Sequence, residues 1–271
     1  STMKDFLSDT ANREYIRNLW ESIKGDVDNK LVQGITTNPN AFFKTNEFRL
    51  SEWEKSLPKL CEIVSEIRQD NAGYVHIQAP NSSMSGDDIL RYAEHIHKLN
   101  DGNTKIALKI PPFVQALKVV DELRHMVKTN VTGISDCSTA LKCITYGVDF
   151  VSIIPGRMEE VGIDAKKHIA FVLQSSMKGS RIITGSMRTI EGLIWVFQYN
   201  TIPTIGERVW NALLEGNNLQ SIIDIDYDIS YSESEFSPEI DKRSFDLSTS
   251  FFQQMDECGK ICFEDWMKSH K

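Results

Sequence analysis

The sequence predicts an α/β fold: a closed (β/α)8 TIM barrel followed by an extra C-terminal helix. Short apolar runs rich in β-branched residues alternate with amphipathic stretches along most of the chain, which is typical of parallel βαβ units. The length of 271 residues also suits a single barrel, which usually takes about 250 residues. A doubly wound open sheet is the alternative for the same alternation.

Eight runs follow the strand pattern. They lie near residues 5–9, 31–37, 74–79, 105–110, 128–132, 149–154, 180–185 and 200–205. The predicted helices between them lie near residues 12–23, 50–69, 86–99, 113–126, 138–146, 164–175 and 189–197. Barrel enzymes place their active sites at the C-terminal ends of the strands. The polar residues that end each run are therefore the candidate site residues.

The chain is predicted to divide after the eighth strand. Residues 1–223 would form the catalytic barrel, and residues 224–271 would form a polar linker and a helix at about 245–268. This helix carries aromatic side chains that need cover, namely Phe251, Phe252, Phe263 and Trp266. The cover would come from the barrel mouth or from a neighbouring subunit, so a homo-oligomer is one expected arrangement.

Composition and charge exclude several classes of protein. A net charge of -8 with 41% hydrophobic residues indicates a globular protein and disfavours binding to nucleic acid or to an anionic membrane, which needs clustered Lys and Arg. No apolar run approaches the roughly 20 residues that span a bilayer, and no signal-peptide pattern is present. We therefore expect a cytoplasmic protein with neither a nucleic-acid nor a membrane partner.

The five cysteines include no C-x-x-C pair, which suits a reducing compartment. Cys258 and Cys262 lie four residues apart on one face of the predicted terminal helix. That spacing favours helix packing over a metal site or a disulfide.

Lys109 interrupts the apolar strand predicted at residues 105–110. Burial of a lysine is costly because it disfavours the ammonium form, and it lowers the pKa from about 10.4. A lysine that attacks a carbonyl must lose its proton, so this cost would serve a Schiff-base nucleophile. The alternative is an edge-strand lysine that reaches outward to solvent. Lys105, at the strand start, is expected to be solvated.

Polar pairs two residues apart end three of the predicted strands. They are Thr36/Asn38, Asn130/Thr132 and Ser186/Arg188. Since strand side chains alternate, each pair would face the same cavity. Arg157 and Arg188 would suit a phosphate group, which arginine binds with two parallel hydrogen bonds. The alternatives are an ordinary turn at Asn38-Pro39 and surface salt bridges for the arginines.

The T-T-N-P turn at residues 36–39 and the K-I-P strand at residues 109–111 resemble the signature sites of transaldolases and fructose-6-phosphate aldolases. The resemblance continues in order over residues 5–266. The similar positions are Asp9 on the first strand, Asn130 and Thr132 on the fifth, Ser152 and Arg157 on the sixth, Ser186 and Arg188 on the seventh, and the F-E-D-W ending at residues 263–266.

The resemblance implies transfer of a three-carbon dihydroxyacetone unit between sugar phosphates in the pentose phosphate pathway, without metal or organic cofactor. It implies that Lys109 forms the Schiff base, that Asp9 moves the proton of the cleaved carbinol, and that Thr132 and Gln78 hold a water. Substrate binding falls to Thr36, Asn38, Asn130, Ser152, Arg157, Ser186 and Arg188.

Two positions depart from the family pattern. Gln78 stands where transaldolases carry a glutamate and the aldolases a glutamine, and Ile154 stands where they carry phenylalanine and tyrosine respectively. Asn130 follows the transaldolases. These positions favour a transaldolase over a free aldolase and leave open an unusual sugar or a non-catalytic sugar-phosphate binder. His76 is either an additional acid or base, or a residue that fills the barrel.

Overall fold

Eight parallel strands close into a barrel in the computed structural model, in the order β1 to β8. The structure describes residues 4–100, 102, 104–175, 179–227, 236, 239 and 241–270. The strands are β1 (Phe6–Asp9), β2 (Val32–Thr36), β3 (Tyr74–Gln78), β4 (Lys105–Ile110), β5 (Lys128–Ile134), β6 (Phe150–Ile153), β7 (Arg181–Thr184) and β8 (Ile202–Gly206). The predicted barrel is confirmed, and the alternative of an open sheet is wrong.

The strand side chains form two separate apolar clusters. Outward-facing residues such as Ile35, Val75 and Ile77 pack under the helices in the main core. A small cluster of Leu7, Ala107, Phe150, Ile183 and Ile202 fills the barrel interior. Because alternate residues of a strand face opposite sides of a sheet, the same register sets which polar side chains point inward.

A β-bulge in β2 adds one polar side chain to the interior. Phe6 pairs with Val32 and Leu7 pairs with Gly34, so Gln33 has no partner on β1. The Gln33 side chain lies against His76 of β3. A Cβ at residue 34 would overlap the carbonyl oxygen of Tyr74, so this close approach of β2 and β3 requires Gly34.

A single turn of 3₁₀ helix at Asn29–Leu31 precedes β2, and the described residues form fourteen α-helices. They are α1 (Arg13–Ile23), α2 (Pro39–Lys44), α3 (Leu50–Arg68), α4 (Gly86–Leu99), α5 (Val114–Leu117), α6 (Val120–Leu123), α7 (Cys137–Thr145), α8 (Pro155–Glu160), α9 (Ala165–Gln174), α10 (Ile190–Gln198), α11 (Glu207–Glu215), α12 (Leu219–Ile223), α13 (Lys242–Cys258) and α14 (Lys260–Ser269). None of these helices is long and apolar enough to cross a membrane.

The sequence did not predict α2, α8, α11 and α12, which span five to nine residues each. Such short helices show too few turns for a reliable apolar period. Both α2 and α8 begin with proline, at Pro39 and Pro155. Proline is favoured in a first helical turn, so Asn38-Pro39 is a helix start and the alternative of an ordinary turn is wrong.

The C-terminal segment folds into two helices where the sequence predicted one. They are separated at Gly259, where a Cβ would lie 2.6 Å from the carbonyl oxygen of Pro80. Helix α13 packs on the barrel mouth and buries Phe251, Phe252 and Met255. Helix α14 packs on α3 and buries Cys262 and Trp266. Most of the linker predicted from residue 224 lies outside the described residues.

All five cysteines are free thiols, and among the described residues no group of His, Cys, Asp and Glu is arranged to hold a metal ion.

Candidate active site

The strand register places the candidate residues side by side at the C-terminal ends of β1 to β5. Asp9 pairs with Thr36, and Thr36 pairs with His76. On the next strands Lys109 pairs with both Gln78 and Asn130. Since inward positions of paired strands adjoin, these side chains form one polar layer across half of the barrel.

Lys109 lies at the centre of this layer and is 6% exposed. Its Nζ donates to the carbonyl oxygen of Thr37 at 2.9 Å and lies 3.4 Å from the Oγ1 atom of Thr36. Burial lowers the pKa of Lys109 to about 8, against an opposing effect of the nearby carboxylate of Asp9. About a tenth of the amine is therefore uncharged at pH 7. The structure excludes the alternative of an outward-facing edge lysine.

Lys105, at the start of the same strand, is exposed, as predicted.

Asp9 ends β1 and lines a cavity at the mouth of the barrel, close enough to Lys109 for their charges to interact. Burial raises the pKa of its carboxyl group, while the positive charges of Lys109, Lys44, Arg157 and Arg188 act in the opposite direction. When burial and nearby positive charges oppose each other in this way, a carboxyl group can accept a proton and return it.

The remaining strand residues lie inside the barrel and, like Lys109, are not among the residues that line that cavity. Thr36, Gln78, Asn130, Thr132 and Ser152 are each 5% exposed or less. The Oε1 atom of Gln78 is buried and has no hydrogen-bond partner in the described part of the chain. A buried acceptor without a partner is unusual and suits a site that holds a water or a ligand group. The structure brings the predicted inner residues together on adjacent strands.

His76 belongs to this interior and does not line the cavity. Its Nδ1 atom is 3.0 Å from the Nδ2 atom of Asn130, and its Nε2 atom is 3.3 Å from the Oε1 atom of Gln33. Burial, and to a lesser extent the charge of Lys109, lowers the pKa of His76 to about 3. An imidazole that stays neutral with both nitrogens engaged is poorly suited to acid–base catalysis.

Asn38 is positioned by the start of α2. Its side chain accepts a hydrogen bond at 2.8 Å from the backbone N–H of Ala41, which caps the helix. This bond uses the Oδ1 atom and fixes the direction of the amide, so the Nδ2 group remains a donor toward the cavity that Asn38 lines.

Arg157 and Ser186 meet on the far side of the mouth. The Nε atom of Arg157 lies 3.4 Å from the Oγ atom of Ser186, and its guanidinium group lies 5.2 Å from the ring centre of Phe251 in α13. Ser186 has a left-handed backbone with φ of 56°. A Cβ at residue 156 would overlap its carbonyl oxygen, so Gly156 allows the two loops to approach. The alternative of a surface salt bridge does not describe Arg157.

Arg188 is more exposed and forms an ion pair with Glu160 at 3.5 Å. The salt-bridge alternative therefore holds for Arg188, although this side chain also lines the cavity.

The cavity has a volume of about 410 Å³. Five predicted site residues line it: Asp9, Asn38, Arg157, Ser186 and Arg188. The sequence prediction missed other lining residues, including Thr10, Asn12, Lys44, Glu207, Arg208 and Met255. Lys44 and Arg208 lie on α2 and α11, two helices that the sequence did not predict. Basic residues soon after the second and eighth strands were the signal that could have identified them.

Together these groups can bind a small anionic ligand. Four cationic side chains (Lys44, Arg157, Arg188 and Arg208) and two carboxylates (Asp9 and Glu207) line the cavity. Cationic side chains at the opening and a buried lysine in the adjoining interior suit a phosphorylated substrate that carries a carbonyl group.

A sequence model described as Transaldolase/Fructose-6-phosphate aldolase matches residues 6–246. A "Probable transaldolase" of Streptococcus equi subsp. equi is 30% identical over 223 residues, covering 79% of this chain and 91% of that protein. "Probable transaldolase 2" of Bacillus anthracis is 27% identical over 190 residues, covering 68% and 77%. A "Probable transaldolase" of Desulfotalea psychrophila is 28% identical over 187 residues, covering 68% and 77%. The family match includes all eight strands and the start of α13.

Proposed function

The chain belongs to the Transaldolase/Fructose-6-phosphate aldolase family, and on that premise we propose that it is a transaldolase. It transfers a three-carbon dihydroxyacetone unit from a ketose phosphate to an aldose phosphate through a Schiff base on Lys109. The observation that carries this proposal is the buried amine of Lys109, whose lowered pKa makes it available as a nucleophile.

In the first step, the neutral Nζ of Lys109 adds to the ketone carbon of the donor. The C=O electrons move to the oxygen, which takes the proton that the nitrogen gives up. The hydroxyl group of this carbinolamine then takes a second proton from solvent, relayed by a bound water, and leaves as water to give a protonated imine. Gln78 and Thr132 are the proposed holders of the relaying water, supported by the burial of both, by the pairing of Gln78 with Lys109, and by the Oε1 atom of Gln78, which has no partner among the described residues.

In the second step, Asp9 takes the proton of the hydroxyl group on the far carbon of the bond that breaks. The electrons of that C–C bond move into the imine and give an enamine on Lys109, and an aldehyde leaves. An acceptor aldehyde then reverses these steps and regains the proton from Asp9. The raised pKa of Asp9 supports this role because the carboxyl group must hold the proton between the two half-reactions.

Substrate binding divides between the interior and the opening. Asn38, Asn130 and Ser152, with Thr36 beside Lys109, are proposed to hold the three-carbon unit. Arg157, Ser186 and Arg188 are proposed to hold the phosphate group. The proposed reaction uses side chains alone and needs no metal or organic cofactor.

We place this reaction among the sugar-phosphate interconversions of the pentose phosphate pathway in the cytoplasm. The five free thiols are compatible with a reducing compartment.

One observation favours an aldolase as the second candidate. Gln78 is an amide where transaldolases carry a carboxylate, and the aldolases carry a glutamine at the same position. The amide can orient a water but cannot take its proton. An aldolase would protonate the enamine and release free dihydroxyacetone. Ile154 opposes this candidate, because it is a buried aliphatic side chain and supplies no acid.

The test is incubation with fructose 6-phosphate, with and without erythrose 4-phosphate. A transaldolase forms sedoheptulose 7-phosphate only when the acceptor is present, whereas an aldolase releases dihydroxyacetone without it. If neither product forms and borohydride traps neither fructose 6-phosphate nor dihydroxyacetone on the protein, the proposal is wrong. Trapping at Lys109 without either product would indicate another sugar as substrate.

A further inference from the structure

Four polar side chains form one hydrogen-bonded chain across the barrel interior, one from each of β2, β3, β5 and β6. The Oγ atom of Ser152 donates to the Oδ1 atom of Asn130 at 2.7 Å. The Nδ2 atom of Asn130 lies 3.0 Å from the Nδ1 atom of His76. The Nε2 atom of His76 lies 3.3 Å from the Oε1 atom of Gln33. All four residues are at most 5% exposed.

The donors and acceptors of this chain fix its direction. The amide nitrogen of Asn130 has only hydrogens to offer, so the Nδ1 atom of His76 must accept. The proton of a neutral imidazole is then on Nε2, which faces the carbonyl oxygen of Gln33 and donates to it. Each atom of the chain is satisfied only when His76 is neutral with its proton on Nε2.

The surroundings of His76 maintain this state. The ring is fully buried, with the rings of Phe150 and Tyr74 at 5.2 Å and 5.9 Å between centres. Burial and the charge of Lys109 both disfavour a second proton, and they lower the pKa of His76 to about 3. The orientation of the Asn130 amide is therefore constant across the working pH range.

We propose that His76 is a positioning residue for the site that binds the three-carbon unit of the sugar substrate. His76 acts through Asn130, and it makes the Oγ atom of Ser152 a hydrogen-bond acceptor toward that substrate. The inference rests on the proposed function and on the proposed place of Ser152 at the three-carbon unit. Because the hydroxyl proton of Ser152 is donated to Asn130, the Oγ atom of Ser152 can only accept a hydrogen bond from a hydroxyl group of the sugar. A terminal hydroxyl group on the three-carbon unit donates this hydrogen bond to Ser152, whereas a terminal methyl group leaves the Oγ atom without a donor.

The test compares two replacements of His76 with opposite hydrogen-bonding capacity. His76→Phe keeps an aromatic ring against Phe150 and Tyr74 but accepts nothing from Asn130. His76→Gln can accept from Asn130 and donate to Gln33, so it should restore the chain. Tyr74→Phe, one inward position below His76, is the matched control and should behave as the wild type.

Two measurements are made on each variant. One is KM and kcat for fructose 6-phosphate with erythrose 4-phosphate as acceptor. The other is borohydride trapping of dihydroxyacetone against hydroxyacetone, which ends in a methyl group. We expect His76→Phe to raise KM by about tenfold and to reduce the preference for dihydroxyacetone by a similar factor. His76→Gln should stay within about threefold of wild type in both.

A double-mutant cycle separates positioning from simple packing. If His76 acts through Asn130 on Ser152, then His76→Phe should change donor preference little in a Ser152→Ala background. An independent check is the ¹⁵N spectrum of the histidines, in which His76, assigned by its loss in His76→Phe, should show the Nε2–H form from pH 5 to 8.

The inference is wrong if His76→Gln is as impaired as His76→Phe, if both keep wild-type KM and donor preference, or if His76 shows the Nδ1–H form. If the wild-type protein traps neither donor, the proposed function has failed, and the inference fails with it.

Discussion

The buried interior of the barrel and the cationic cavity at its opening differ in how firmly they hold their side chains. The inner site consists of Gln78, Lys109, Asn130, Thr132 and Ser152, all on barrel strands and all 6% exposed or less. The rim consists of Lys44, Arg157, Arg188 and Arg208, all on short helices or loops that follow the strands. Strands fix the inner site, whereas the rim depends on the connecting segments.

This difference in burial sets the free energy that each region is expected to lose when one of its side chains is replaced. An unsatisfied polar group in a buried site costs about 1–3 kcal/mol, and an exposed ion pair contributes about 0–1 kcal/mol. Changes in the inner site should therefore alter the chemistry or the choice of donor by large factors. Changes in the rim should alter affinity for the phosphate, and by less where the side chain is more exposed.

Lys109→Ala should have the largest effect. Without the Nζ atom no imine can form, so we expect complete loss of borohydride trapping with either dihydroxyacetone or fructose 6-phosphate. The measurement is the mass of the reduced protein together with turnover. Lys105→Ala is the matched control, since Lys105 lies on the same strand but is exposed, and it should trap normally.

Labelling of another lysine in Lys109→Ala would contradict the assignment of the nucleophile. Circular dichroism and thermal unfolding of the variant would show whether the barrel is intact.

Arg157→Met should have the next largest effect and tests the rim at its most buried arginine. Loss of a charge-assisted hydrogen bond costs about 1.5–3 kcal/mol, so KM for fructose 6-phosphate should rise about 10- to 100-fold. Trapping of free dihydroxyacetone, which has no phosphate, should be unchanged. Equal losses with both compounds would mean that Arg157 acts on the inner site, and the division into two regions would fail.

The fold and the inner site could be predicted from the sequence because both follow the period of two in a strand. The predicted strands agree with the observed ones within two residues at each end. The apolar run around Lys109 and the pair of Asn130 and Thr132 are visible without any tertiary information.

The rest depends on contacts that no local pattern carries. Lys44 and Arg208 reach the cavity from α2 and α11, which are too short to show a helical period. The partners of His76 depend on a bulge that turns Gln33 inward, and that bulge requires Gly34 to approach Tyr74 of another strand. The break at Gly259 likewise depends on Pro80, far away in the chain.

Lowering the pH should have a smaller effect, and this effect should come from the inner site. The pKa of Lys109 is about 8, and the neutral amine is the nucleophile, so the initial rate of dihydroxyacetone trapping should fall about tenfold from pH 7 to pH 6. A guanidinium group does not lose its proton over this range, so phosphate binding is not the step that changes. Asp9→Asn removes a charge that raises the pKa of Lys109, so the midpoint should move to lower pH. A midpoint that moves upward would contradict the electrostatic account.

Arg188 should show the smallest effect and tests whether the rim is as preorganised as the inner site. Arg188→Met removes an exposed guanidinium that is shared with Glu160, so KM for fructose 6-phosphate should rise by about fivefold or less, with trapping of dihydroxyacetone unchanged.

Glu160→Gln is the informative partner variant. If Glu160 competes with the phosphate for Arg188, its removal should lower KM slightly. If Glu160 instead holds Arg188 in place, the same change should raise KM as much as Arg188→Met does. The second outcome would mean that the exposed rim is organised by its own fixed contacts, and exposure would no longer explain the difference between the two regions.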